Sequence, residues 1–149
     1  MAMREQTSAY MDASPEQVYE LVIDPWKLPS WNRAITEVVE APKRLEAGST
    51  WKIRLHALSR SWVSKSQVSE LDPAAGTFAY RSQTDDGNLS YADWEWLVQR
   101  DLEVTKVTVT VELHPVTFWR KHVQIKIRRR ALRKEMANSL SALSEAVGS

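Results

Sequence analysis

The chain has 149 residues, of which 43% are hydrophobic and 26% charged, the make-up of an ordinary globular protein with one domain over 1–149. A net charge of +1 argues against a general nucleic-acid binder, whose surface is strongly basic. The absence of cysteine excludes disulfides and thiolate chemistry, and a reducing cytoplasm is the expected location.

"MAMREQTSAYMDASPEQ" lacks the apolar core of a secretory signal, and no apolar run approaches the roughly 20 residues of a membrane-spanning helix. Residues 3–12 read as a strand ending at "DASPEQ". There Ser14 suits an N-cap, Pro15 the first helical turn, and Gln17 completes a capping-box pattern. The short helix that follows carries Val18, Leu21 and Val22 on one side. Asp24–Pro25 stops it, and Asp24 can cap a second helical turn through "PWKLPSW".

From Ile35 to Leu113 the pattern is β, beginning with "AITEVVE" before a turn at "PKRLEAGS". "TWKIRLHAL" places Trp51, Ile53 and Leu55 on one face and Lys52, Arg54 and His56 on the other. "SWVSKSQVSEL" follows a tight connection near Leu58–Ser61, and "DPAAGT" is a turn before "FAYRS". "TDDGN" signals a hairpin through Asp86–Gly87. "LSYADWEWLV" and "LEVTKVTVTVEL" complete six successive strands after the N-terminal one, an antiparallel arrangement. In the last, Val107, Val109, Val111 and Leu113 share a face.

After His114–Pro115 the period changes. Phe118, His122, Ile125, Arg129, Leu132, Met136, Leu140, Leu143 and Val147 recur every three or four residues. They predict a helix of about 30 residues, longer than the typical ~11–12. A sheet with one apolar face must be covered, and this helix is the only element large enough. The expected architecture is α+β: a curved antiparallel sheet of about seven strands wrapped around a long C-terminal helix, with two short helices after the first strand. The wedge between sheet and helix is the natural place for a ligand.

"ASPEQVYELVIDPWKLPSWNRAITEV" resembles the opening of the START/Bet v 1-like (SRPBCC) superfamily, in its bacterial polyketide cyclase/dehydrase and lipid-transport branch. Ser14–Pro15, Asp24 and Trp31 match that pattern, Gly48 matches the Gly before the following strand, and Pro73 matches the Pro of a later turn. The element order covers essentially the whole chain. The resemblance implies a helix-grip fold and a hydrophobic ligand, and it carries over no catalytic motif. One departure is that the family's Gly-Thr before the last strand is replaced by Asp101–Leu102.

Seven tryptophans against two phenylalanines are the compositional anomaly. Trp51 and Ile53, Trp62, Tyr80 with Phe78, and Trp94 with Trp96 alternate onto the inner face; Trp31 and Val109 join them. These rings either wall a pocket or fill the wedge, each burying about 150–250 Å². Arg129 falls mid-face on the helix, where it meets a ligand carboxylate or enolate, pairs with a carboxylate of the sheet, or snorkels to an opening. His122 lies near Phe118 and is a candidate general acid or base. The expected ligand-contacting set is thus Trp31, Trp51, Ile53, Trp62, Tyr80, Trp94, Trp96, Val109, Phe118, His122, Ile125 and Arg129. Sheet hydroxyls of Ser64, Ser66 and Thr105 are the remaining candidates for polar chemistry in the wedge.

Asp93 and Glu95 alternate with the paired tryptophans and should be solvated outward charges. His56 and His114 show no metal-ligand spacing, and no Gly-rich phosphate loop, nucleophile elbow or zinc signature is present, so no cofactor is expected. Apart from Arg129, the basic run from Arg120 to Lys134 reads as a solvated helix back, with acidic lipid or nucleic acid as the minor alternative. Trp119, Val123 and Ile127 form a second stripe that suits a homodimer contact or a neighbouring loop. The leading expectation is a non-catalytic binding module for a lipid, polyketide or aromatic molecule. A cyclase- or dehydratase-type enzyme and a quinone- or lipid-binding partner protein are the alternatives.

Overall fold

The computed structural model describes residues 3–57, 59–85, 90–114 and 124–148, with side chains throughout except at 57 and 124–131. In chain order, strand β1 (Met3–Met11) leads to helix α1 (Pro15–Val22), a 3-10 turn (Pro25–Lys27) and helix α2 (Leu28–Trp31). Strands β2 (Ile35–Glu40), β3 (Thr50–Ala57), β4 (Arg60–Asp72), β5 (Thr77–Thr84), β6 (Tyr91–Asp101) and β7 (Val104–His114) follow, and helix α3 (Gln124–Gly148) ends the fold. The strands form one antiparallel sheet of order β1-β7-β6-β5-β4-β3-β2, so only β1 leaves its sequence neighbour. This is a helix-grip, Bet v 1-like architecture.

Local chemistry sets the N-terminal third. The Ser14 hydroxyl accepts from the Gln17 amide while the Gln17 side chain accepts from the Ser14 amide, both at 3.2 Å. Reciprocal capping satisfies two amides that α1 would leave bare. Asp24 accepts from the Trp26 amide at 3.0 Å and starts the 3-10 turn. On α1, Tyr19 is buried as well as Val18 and Val22, and its hydroxyl donates to the Thr77 carbonyl at 2.7 Å. That bond anchors α1 to the start of β5.

The core lies on the inner face, in one buried cluster that includes Val107, Val109 and Val111 of β7 and Leu140 and Leu143 of α3. The β4–β5 register shifts between Val68 and Glu70, the kind of irregularity by which bulged strands bend. α3 packs on β1, and Arg133 Nε reaches Glu5 Oε2 at 2.8 Å. Glu5 is buried on the inner face while most of the Arg133 side chain stays in solvent. The Glu5 position in β1 points inward, and the partner that satisfies it lies 128 residues away.

The stretch the family fills with Gly-Thr is a two-residue turn between Asp101 and Val104. Leu102 holds φ at +57° there and is 89% exposed. A non-glycine residue in that region costs about 1–2 kcal/mol, and this side chain recovers nothing by burial. Leu102→Gly should therefore raise stability by roughly 0.5–1 kcal/mol, readable as a higher urea midpoint with unchanged slope.

Candidate functional site: a cavity between sheet and helix

A cavity of about 860 Å³ lies on the inner face of the sheet, within the range of about 300–1,000 Å³ usual for ligand sites. Val22, Pro25, Leu28 and Trp31 line it from the N-terminal helical segment, and Leu132, Met136 and Ser139 line it from α3. The hollow arises from where small residues fall in register. Trp51 is paired with Ser66, Ser66 with Ser82, and Ser82 with Ala92, so that three short side chains on β4, β5 and β6 follow the Trp51 ring in one row. Ile53, Ser64 and Thr84 form the next row. On the other side, Val68, Tyr80, Trp94 and Val111 make a bulky row, and Phe78, Trp96 and Val109 another. Short side chains leave the space and large ones stand around it.

The rings form a connected wall. Trp51 meets Tyr80 edge-on at 4.9 Å between centroids and stacks on Phe78 at 6.1 Å. Tyr80 in turn stacks on Trp94 at 6.2 Å. The two tryptophans of "DWEW" have separate tasks. Trp96 is buried and sits edge-on against Trp31 at 5.6 Å, joining α2 to the sheet. Trp94 is half-buried, and its indole N–H donates to the Ser82 hydroxyl at 3.2 Å. One packs and the other walls, although both border the cavity.

All the expected contact residues with described side chains lie on this wall: Trp31, Trp51, Ile53 and Trp62, then Tyr80, Trp94, Trp96 and Val109. Phe118 and His122 lie outside the described residues. Ile125 and Arg129 are placed on α3 by backbone alone. The second stripe, Trp119, Val123 and Ile127, likewise falls outside the described side chains.

The polar groups sort differently from expectation. Ser64 and Ser66 line the cavity, and their hydroxyls have no hydrogen-bond partner among the described residues. Thr105 does not: it is fully buried, and its hydroxyl donates to the Ala13 carbonyl, tying β7 to the β1–α1 connection. That expectation is corrected by register, since Thr105 sits at the β1 end of the sheet opposite Met11. Trp31 and Trp51 each bury an indole N–H that meets no acceptor among the described residues. An unmet buried donor costs about 1–3 kcal/mol, and its usual remedy is a bound oxygen atom.

Asp93 faces the outer side, where Arg81 grips it with Nε and Nη2 at 2.8 and 3.1 Å. Arg81 also lies over the Tyr91 ring at 4.0 Å, and Tyr91 stacks on His114 at 4.5 Å. His114 Nε2 is 2.9 Å from Glu112 and 3.5 Å from Asp93, close enough for ion pairing but out of hydrogen-bond alignment. Glu95 is exposed. Two histidines that spacing had set aside, His56 and His114, border the cavity. Strand-end side chains reach a rim regardless of their alternation, which is why the pattern hid them. Among the described residues no cluster of three or more His, Asp or Glu is arranged for a metal, and no helix is long and apolar enough to cross a membrane.

Burial pushes the Tyr80 phenol up to about 12, aided by the negative charge of Glu135 and partly offset by a hydrogen bond from Trp96. Tyr19 is also raised to about 12, mainly by burial and then by Asp72. Both phenols are therefore neutral donors across the physiological range. An unfolded tyrosine loses its proton near pH 10, before either of these does, so alkali favours the unfolded chain. The denaturation midpoint should fall as pH rises from about 10 to about 12, with absorbance at the phenolate band showing two late-titrating tyrosines. A flat midpoint over that window would remove the buried-phenol account.

A sheet gripping a long helix, with an aromatic-walled cavity on its inner face, is the architecture the chain presents. The family model described as polyketide cyclase / dehydrase and lipid transport matches residues 4–148, and the chain belongs to that family. Among solved structures, TTHA0849 from Thermus thermophilus is similar at 19% identity and TM-score 0.78, covering 97% of each chain. The Zhui aromatase/cyclase from Streptomyces sp. R1128 is 15% identical at TM-score 0.78, covering 99% of this chain and 94% of its own. Major latex-like protein 151 from Panax ginseng is 11% identical at TM-score 0.76, covering 98% and 97%. Identities this low establish the shared fold. A comparison with curated protein sequences returned no match.

Proposed function

We propose that the protein binds a hydrophobic small molecule, of lipid, polyketide or aromatic type, in the cavity between sheet and α3, and does so without transforming it. The observation that carries this reading is the cavity of about 860 Å³ walled by Trp51, Tyr80 and Trp94. The twelve residues expected to touch ligand remain the proposed contact set, with Phe118, His122, Ile125 and Arg129 contributed by the C-terminal segment.

The cyclase-type alternative has its support in relatives: the Zhui protein is an aromatase/cyclase, and BexL is a di-domain ARO/CYC with 19% identity. Enolisation at neutral pH needs a base with a pKa near 7. Tyr80, raised to about 12 by burial, holds its proton and does not supply that base, although it can donate to a ligand oxygen. Native mass spectrometry of the purified protein, followed by organic extraction, tests the reading. The expected result is a co-purifying small molecule, or tryptophan quenching by added hydrophobic compounds. Persistent absence of both would dismiss it.

A further inference from the structure

The wall of the cavity is apolar over its floor, but its charged members are almost all of one sign. Arg33, Arg60 and Lys134 border it, whereas Glu135 is the sole carboxylate there among the described residues. All three cations are exposed, and none has an ion pair or hydrogen bond among the described residues. Unpaired surface cations are ordinary when scattered. Two of these are gathered by the backbone. Ala34, next to Arg33, accepts a hydrogen bond from the His56 amide at 2.8 Å. His56 is paired in turn with Ser61, and Ala57 with Arg60, across the β3–β4 hairpin. Arg33 and Arg60 therefore border the cavity from backbone segments that are joined to one another through His56 and Ala57. The His56 ring spends Nδ1 on the Ser61 hydroxyl at 2.9 Å, which leaves Nε2 as a further polar group there. Arg60 shares the parity of Trp62, Ser64 and Ser66, so its stem starts on the inner face.

We infer that the ligand is an amphipathic organic anion: its ring or chain lies on the aromatic floor, and its acidic group sits at the mouth between Arg33 and Arg60, with Lys134 opposite on α3. Planar guanidinium groups grip carboxylate, sulfonate or phosphate oxygens in pairs. Because the cations are in solvent, each adds little, and the set is worth about tenfold in affinity. This inference rests on the cavity reading above and specifies the chemistry of its occupant.

Two fluorescent probes separate the inference from that reading. 8-Anilinonaphthalene-1-sulfonate and N-phenyl-1-naphthylamine share one ring system, and only the first carries an acidic group. The two should displace one another. The double substitution Arg33→Gln/Arg60→Gln should lower the ratio of sulfonate-probe to neutral-probe affinity about tenfold, and roughly 0.5 M salt should do the same to the unsubstituted protein. An unchanged ratio overturns the inference and leaves the cavity reading standing. So does a sulfonate probe that the neutral one cannot displace, since it would then occupy the surface. Failure of both probes to bind removes the two proposals together.

Discussion

Replacing Gly76 by alanine should lower stability by at least ~3 kcal/mol, the largest loss expected from a single methyl group in this protein. Gly76 closes the Pro73–Gly76 turn with φ at +70°, and a Cβ there would lie 2.2 Å from the Val98 carbonyl oxygen. That oxygen is backbone in the middle of the sheet, and the Gly76 carbonyl itself accepts from the Val98 amide at 2.9 Å. Relief would have to part β5 from β6 beside Thr77, the residue that holds Tyr19 of α1. A fall of roughly 10 °C in Tm is the expected reading for a chain of this size. Gly48 is the control: its φ is +86°, but nothing lies within 4 Å of a Cβ placed there. Gly48→Ala should cost only the backbone term of about 1–2 kcal/mol. Equal losses at the two positions would mean that the Val98 contact is unimportant.

The second large effect concerns binding. Ser64→Leu combined with Ser66→Phe should weaken N-phenyl-1-naphthylamine at least about tenfold while moving the unfolding midpoint little. Both hydroxyls border the cavity without a partner among the described residues, so removing them orphans nothing. Ser66 stands in the row of short side chains between Trp51 and Ser82, and bulk placed there occupies the space itself. Overpacking of about 1–3 kcal/mol is set against newly buried apolar surface of similar worth. Should the pair prove too large, Ser64→Leu alone is the milder version, with a smaller loss. Full affinity in a well-folded double variant would move the binding site elsewhere.

Much of the architecture was legible before any coordinates. Capping at Ser14 and Asp24 depends on residues three or two positions away, and the strand alternation of Trp51, Ile53 and Leu55 needs only a period of two. The inner-face tryptophans followed from the same rule. Thr105 was misplaced because alternation assigns a face but not a position along the sheet, and its end of β7 lies over Ala13 rather than the cavity. Glu5 was passed over because its partner, Arg133, is 128 residues away.

The sequence by itself determined the order of elements, their caps and turns, which side chains face inward, and the family to which the chain belongs; each is a local or periodic signal. Only the tertiary structure decided that the inward face is hollow. That depends on Ser66, Ser82 and Ala92 of three strands falling in one register, and tertiary structure likewise places Arg33, His56 and Arg60 of separate segments on the border of one cavity. Cross-strand register is set by the pairing of distant residues, and no window along the chain contains it.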